Sequence, residues 1–161
     1  MATDRLTLCI ALETLAPSQY SNYNFNSMCR FGSRVLGANE DGIFIVGAAE
    51  KDGEEDINAR FRTPLTDFNA INQKRLRRLY VGYQTDGKLE VSVRADEGTA
   101  LVRELHPRHE DERQHSQKVS IGRDRKGRYW DVEISNVNGA DFAVDEITVI
   151  PIVLGPKPED A

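Results

Sequence analysis

The stretch "GRYWDVEISNVNGADFAVDEITVIPIVLGP", Gly127 to Pro156, decides the fold. In its first half Trp130, Val132 and Ile134 alternate with Tyr129, Asp131 and Glu133. That period of two describes a strand with one face in a core and the other in water. "NVNGAD" supplies a corner, because Asn138-Gly139 is suited to positive φ. "FAVDEITVIPIVL" returns as a second strand, with Phe142 and Val144, then Ile147 and Val149, on alternating faces of its two parts. Pro151 makes this last run an edge strand or bends it there. The chain's only Trp lies here, on the apolar side of its strand, and reads as a core residue. The stretch is architecture: two strands and a corner that close a sandwich.

The same period recurs elsewhere. In "RLTLCIAL" (5–12), Leu6, Leu8, Ile10 and Leu12 share one face; in "KLEVSVR" (88–94), Leu89, Val91 and Val93 do the same. "KRLRRLY" (74–80) is read as a strand, with Arg75 and Arg77 pointing one way and Lys74, Leu76 and Arg78 the other. No stretch carries a convincing helical stripe. Turn signals stand at 39–42, 51–56, 85–88, 95–98, 125–128 and 136–141, and Asp86-Gly87 signals a short hairpin between "RLYVGY" and "KLEVSVR". Short strands at this spacing predict an all-β protein, an antiparallel β-sandwich with an N-terminal strand or hairpin extension. The expected organisation is an N-terminal strand and linker (1–19), a β-hairpin region (20–73), the β-sandwich (74–155) and a flexible tail (156–161).

Composition narrows the partners. The 161 residues suffice for one core. The net charge of −5 argues against direct nucleic-acid binding, which needs a basic face, and against anionic membranes. The apolar run near the start is short, is interrupted by Glu13 and lacks a basic leader, so no membrane insertion is expected, and the chain is read as soluble and made in the cytoplasm. Cys9 and Cys29 sit in apolar strand-like runs and are read as two buried free thiols, with a Cys9–Cys29 disulfide as the alternative.

Candidate chemistry is sparse. His106, His109 and His115 match no zinc spacing and read as part of a charged surface loop at 106–116. "KDGEED" (51–56) lacks the ligand ladder of a calcium loop and reads as a solvated turn. Lys74, Arg75, Arg77 and Arg78 form the only basic concentration and read as charges on an exposed strand that keep it from aggregating, with a protein interface as the next choice. Tyr23, Phe25 and Phe31 fall on one strand face and read as core packing. No nucleophile elbow, phosphate loop or dinucleotide fingerprint occurs, so no enzyme, metal or cofactor is expected.

One resemblance covers most of residues 20–154. "YSNYNFNSMCRFGSRVLGANEDGIFIVGAAEKDG" (20–53), "INARFRTPLTDF", "KRLRRLYVGYQTDGKLEVSV" and "GRYWDVEISNVNGADFAVDEITVIPIVL" follow one another in an order that resembles the C-terminal region of a family of tailed-bacteriophage and prophage structural proteins. The closing element is its most specific part. Family members are usually longer chains ending in this region, so an upstream module is expected to be absent or separately encoded; here 103–118 is also more charged than usual. The resemblance implies a structural component of a virion, in the tail, tail tip or baseplate, made in the host cytoplasm. Its partners would be other tail or virion proteins and further copies in a symmetric homo-oligomer. It implies no catalytic activity and no cofactor. Leu6, Leu8 and Ile10 are the expected interface by strand addition, and Arg75, Arg77 and Arg78 a second contact. The alternative is a receptor-binding module of the adsorption apparatus that takes a host surface glycan on Tyr20, Tyr23, Tyr83 and Tyr129.

Overall fold

The computed structural model describes residues 6–21, 23–47, 51–52, 54–108 and 111–155, without the side chains of Asp111 and Glu112. Fourteen strands and no helix run through them. The chain divides into two units, Met1–Ala49 and Glu50–Ala161. The tail at 156–161 and His109 lie outside the described residues.

The N-terminal unit holds β1 (Thr7–Ile10), β2 (Pro17–Tyr20), β3 (Ser27–Phe31), β4 (Arg34–Asn39) and β5 (Gly42–Val46). β1 and β2 form an antiparallel hairpin, and β3, β4 and β5 a three-stranded antiparallel sheet in chain order. The second unit holds β6 (Lys51–Asp52), β7 (Glu55–Asp56), β8 (Arg60–Arg62), β9 (Lys74–Thr85), β10 (Leu89–Ala95), β11 (Leu101–Leu105), β12 (Asp111–Val119), β13 (Trp130–Asn136) and β14 (Phe142–Val153). Two antiparallel sheets, ordered β11-β10-β13-β8 and β12-β9-β14, make the expected sandwich. The sandwich starts before residue 74, since β8 pairs with β13.

The core lies between these sheets. Leu76, Leu79, Val81 and Tyr83 of β9 face Leu89, Val91 and Val93 of β10, and Trp130, Val132 and Ile134 of β13. Leu105, Val119 and Ile121 complete it. Burying such side chains contributes about 1.5–3 kcal/mol each.

From β8 onward only β10 and β11 are sequence neighbours that also pair. Every other connection carries the chain from one sheet to the other. The Asp86-Gly87 expectation is corrected here: the turn leads from β9 in one sheet to β10 in the other, and neither residue has positive φ. Tertiary packing overrides the local hairpin signal because both flanking strands are apolar on one face only, and facing each other across the core buries both. The corner at Asn138-Gly139 does have positive φ, 55° and 72°. A side chain at Gly139 would place its Cβ 2.9 Å from that of Asp56.

Two bulges in the β9–β14 pairing alter the strict period of two. Opposite Ile150 and Pro151 of β14 stand Arg78 and Leu76, so Arg77 is the extra residue in β9. Leu76 and Leu79, three apart, are therefore both buried, and the reading that put Arg78 on the face of Lys74 and Leu76 fails. Opposite Tyr83 and Gly82 stand Val144 and Glu146, so Asp145 is extra in β14. Phe142, Val144, Ile147 and Val149 then all pack against the core, which is why the apolar spacing of this strand changes parity midway. β14 is an edge strand, as Pro151 required. The expected loop at 106–116 is corrected too: Asp111–Val119 is β12, the other edge of that sheet. Charged side chains suit an edge strand, and its backbone pairs with β9 all the same.

Candidate interaction surfaces

The second unit is finished on its inner side, and much of its polar chemistry is structural. Lys74, expected on a solvated basic stripe, is fully buried. Its Nζ donates to the carbonyls of Ala70 (2.5 Å), Asn72 (2.8 Å) and Arg128 (3.0 Å). Asp131 points to the outer face of its sheet, as alternation requires, yet is buried there beneath arginines. Arg62 donates two hydrogen bonds to it, at 2.8 and 2.7 Å, and Arg94 lies 3.6 Å away. The hydrogen bond to Asp131 raises the pKa of the Arg62 guanidinium. Sequence reasoning missed this cluster; the signal was a charged side chain on each of three strands that come to lie side by side.

The corner end of the sandwich is latched. Thr85 Oγ1 donates to the Asp141 carbonyl at 2.9 Å, and the Asp141 N–H donates to Asp86 Oδ1 at 2.8 Å. Asn136 accepts from the Ala59 N–H and donates to the carbonyls of Ile57 and Ala140. A shallow cleft of about 410 Å³ lies beside these turns, lined in part by Lys51, Asp56, Asp86 and Lys88. Lys51 and Asp56 pair at 3.3 Å across the β6–β7 hairpin. The cleft is of mixed charge and carries no aromatic lining.

The expected contact residues fall as follows. Arg77 and Arg78 are exposed and Arg75 is half-buried. β12 ends at Val119 opposite Leu79, so this part of β9 has a strand neighbour only in β14. Tyr83 is removed from the glycan set: it is 1% exposed, in the core, with its hydroxyl 3.1 Å from Gln117 Oε1. Tyr129 is at the surface, with the Arg128 guanidinium 4.9 Å from its ring centre. Tyr20 and Tyr23 stack on each other in the N-terminal unit, centroids 5.2 Å apart. With Tyr83 buried in the core, the four tyrosines do not form one exposed platform. His106 pairs with Glu104 at 3.1 Å, and among the described residues no three metal-ligating side chains lie together.

The N-terminal unit is different in kind. Gly37 is its only buried residue among those described. Cross-strand partners share a face of a sheet, which sorts β3, β4 and β5 into two faces. One carries Met28, Arg30, Val35, Gly37, Asn39, Phe44 and Val46. A chain of rings, Tyr20–Tyr23–Phe25–Phe44, lies on part of it, and Phe25 lies flat on Gly37, where a Cβ would sit 2.6 Å from the ring, while Met28, Val35 and Phe44 stay exposed. The other carries Ser27, Cys29, Phe31, Leu36, Ala38, Ile43 and Ile45, with Arg34 beside Phe31. Among the described residues of the unit nothing covers it: Phe31 is 74% and Ile43 76% exposed. Two readings are corrected here. Phe31 does not join Tyr23 and Phe25 in a core, because it points to the opposite face. Cys9 and Cys29 are free but exposed: Cys9 lies on a two-stranded hairpin, and Cys29 on the sheet face that carries Leu36 and Ile45.

Leu6, Leu8 and Ile10 are exposed as well, on the side of β1 away from Tyr20. β1 is paired within its own chain, with β2, and the hydroxyl of Thr7 donates to the Tyr23 carbonyl at 3.3 Å. Comparison with protein families, with curated proteins and with solved structures finds no match.

Proposed function

We propose that the chain is a structural subunit of a tailed-phage virion, in the tail, tail tip or baseplate, and that it acts through protein–protein contacts in a symmetric assembly. The observation that carries this reading is the contrast between the two units. One is a sandwich with its own core; the other exposes apolar side chains on nearly every strand. Contiguous exposed apolar surface marks a place that another molecule covers. The sequence resemblance in residues 20–154 supplies the kind of assembly. β1 keeps one unpaired edge for strand addition, and Arg77 and Arg78 offer a charged contact on the sandwich.

The test is the protein composition of gradient-purified particles from the source phage or induced lysogen, with lysine–carboxylate cross-linking. The expected result is stoichiometric presence of this chain, cross-linked to tail proteins. Its absence from the particles overturns the reading.

A further inference from the structure

We propose that the outer face of the β12-β9-β14 sheet, at the end where β9 begins, binds the phosphate backbone of a nucleic acid. The inference goes beyond the structural-subunit reading and rests on the second unit alone.

The face is assembled from two basic runs far apart in the sequence. "KRLRR" (74–78) opens β9, and "RDRKGR" (123–128) lies in the connection after β12. Pairing brings them together. β12 ends with Val119 opposite Leu79, and Gly127 pairs antiparallel with Lys74. Residues 120–126 therefore run beside Arg75–Arg78 with both ends pinned to β9, the far end by two backbone hydrogen bonds of 2.8 and 3.1 Å. Arg75, Arg78 and Tyr80 flank the buried Leu76, Leu79 and Val81 and so point outward. Lys118 of β12 stands opposite Tyr80 and shares that face. Arg77, Arg78, Lys118, Arg123 and Lys126 are exposed, and Arg75 is half-buried. Lys74 is buried, and Arg125 donates to the Thr99 and Ala100 carbonyls, so neither belongs to the face.

These six cations are left without counter-charges. Carboxylates outnumber Lys and Arg by 26 to 21 in the chain, yet among the described residues none of the six makes an ion pair. The Arg75 Nε is shielded from solvent and has no acceptor. No bond within the chain accounts for where this guanidinium is held. Asp124 is the one carboxylate among residues 123–128, and Glu146 stands farther along the sheet, opposite Gly82.

The composition selects the partner. The centre of a protein–protein interface is depleted of charge, whereas nucleic-acid interfaces are far more positive. Four of the six are arginines, whose planar fork matches a phosphate. The net charge of −5 is an average over the whole surface, and binding responds to the local field. Among these outward side chains the one ring, Tyr80, is half-buried, so the contacts are to phosphates and carry no sequence preference.

Fluorescence anisotropy of the full chain with a labelled short duplex and with its single strand tests this. The expected dissociation constant is on the order of 1 μM at about 50 mM salt, and log K should fall against log salt with a slope of about −4 on the duplex. Arg77→Glu/Arg78→Glu and Arg123→Glu/Lys126→Glu should each weaken binding about tenfold or more, with Trp130 emission unchanged. Lys51→Glu/Lys88→Glu makes the same charge change at the corner end and should weaken it by less than about threefold. Binding to either nucleic acid with this pattern supports the proposal and identifies the form bound. No binding at low salt overturns it, as does binding that the control weakens as much as the two face variants do. Poly-glutamate bound as tightly as the nucleic acids, and lost in the same variants, would assign the face to an acidic protein instead. Failure of this proposal leaves the structural-subunit reading standing, because the composition of the particles is measured separately.

Discussion

Lys74→Met is expected to destabilise the sandwich by about 3 kcal/mol, read as a lower urea midpoint at unchanged slope. Lys74 has no exposed surface, and its ammonium places three donors on three backbone carbonyls. Those carbonyls belong to Ala70, Asn72 and Arg128, in the connections before β9 and before β13. Its backbone is fixed as well, the N–H to the Gly127 carbonyl at 2.8 Å and the carbonyl to the Gly127 N–H at 3.1 Å. Methionine fills a similar volume but leaves the carbonyls without this donor. A buried acceptor left unpaired costs about 1–3 kcal/mol. Against that stands the desolvation of the ammonium, which methionine no longer requires and which offsets part of the loss. Lys88→Met, at an exposed position, is the control and should change stability by under about 0.5 kcal/mol. A Lys74→Met variant as stable as that control would contradict the structural role.

Trp130→Ala should cost about 4 kcal/mol, the range for removing a large aromatic side chain from a packed core. Trp130 is 1% exposed and sits at the start of β13, where its backbone exchanges two hydrogen bonds of 2.9 Å with Thr66. Its indole Nε1 donates to the Gly127 carbonyl at 3.1 Å, the same oxygen that accepts the Lys74 N–H. Trp130→Phe keeps most of the apolar volume and loses that donor, so about 2 kcal/mol is expected. Because the Lys74 ammonium holds the Arg128 carbonyl and the Trp130 indole holds the adjacent Gly127 carbonyl, the two losses should not add. A double-mutant cycle should show coupling above about 0.5 kcal/mol. Additivity within that limit would mean that the two side chains act independently. Since Trp130→Ala removes the fluorescent reporter, circular dichroism serves for that variant.

Much of the sandwich was legible in the sequence because alternation reports burial directly. The runs at Leu89–Val93 and Trp130–Ile134 are buried on the residues that alternation selects. Where the period breaks, as at Arg77 and Asp145, a bulge has to be seen in the pairing before the facing side chains make sense. Asp86-Gly87 was misread because turn chemistry is local, while the choice between pairing and crossing is made by the core. Lys74 was misread because its residue type does not reveal that two carbonyls of the loop just before it, and a third from Arg128 far along the chain, will surround its ammonium. The N-terminal unit carries the largest lesson. Its alternating apolar residues were read as strands over a core, and the strands are there. No described residue of the unit covers Phe31 and Ile43, and alternation by itself does not say whether a second layer exists to bury an apolar face.

The division of labour between the two units is tested most directly by comparing the full chain with residues 50–161 alone, in mass by light scattering and in urea unfolding followed by Trp130. The shorter chain should be a monomer that unfolds cooperatively, with Trp130 buried in the native state, while the full chain associates. A 50–161 chain that fails to fold, or that associates as the full chain does, would contradict this account.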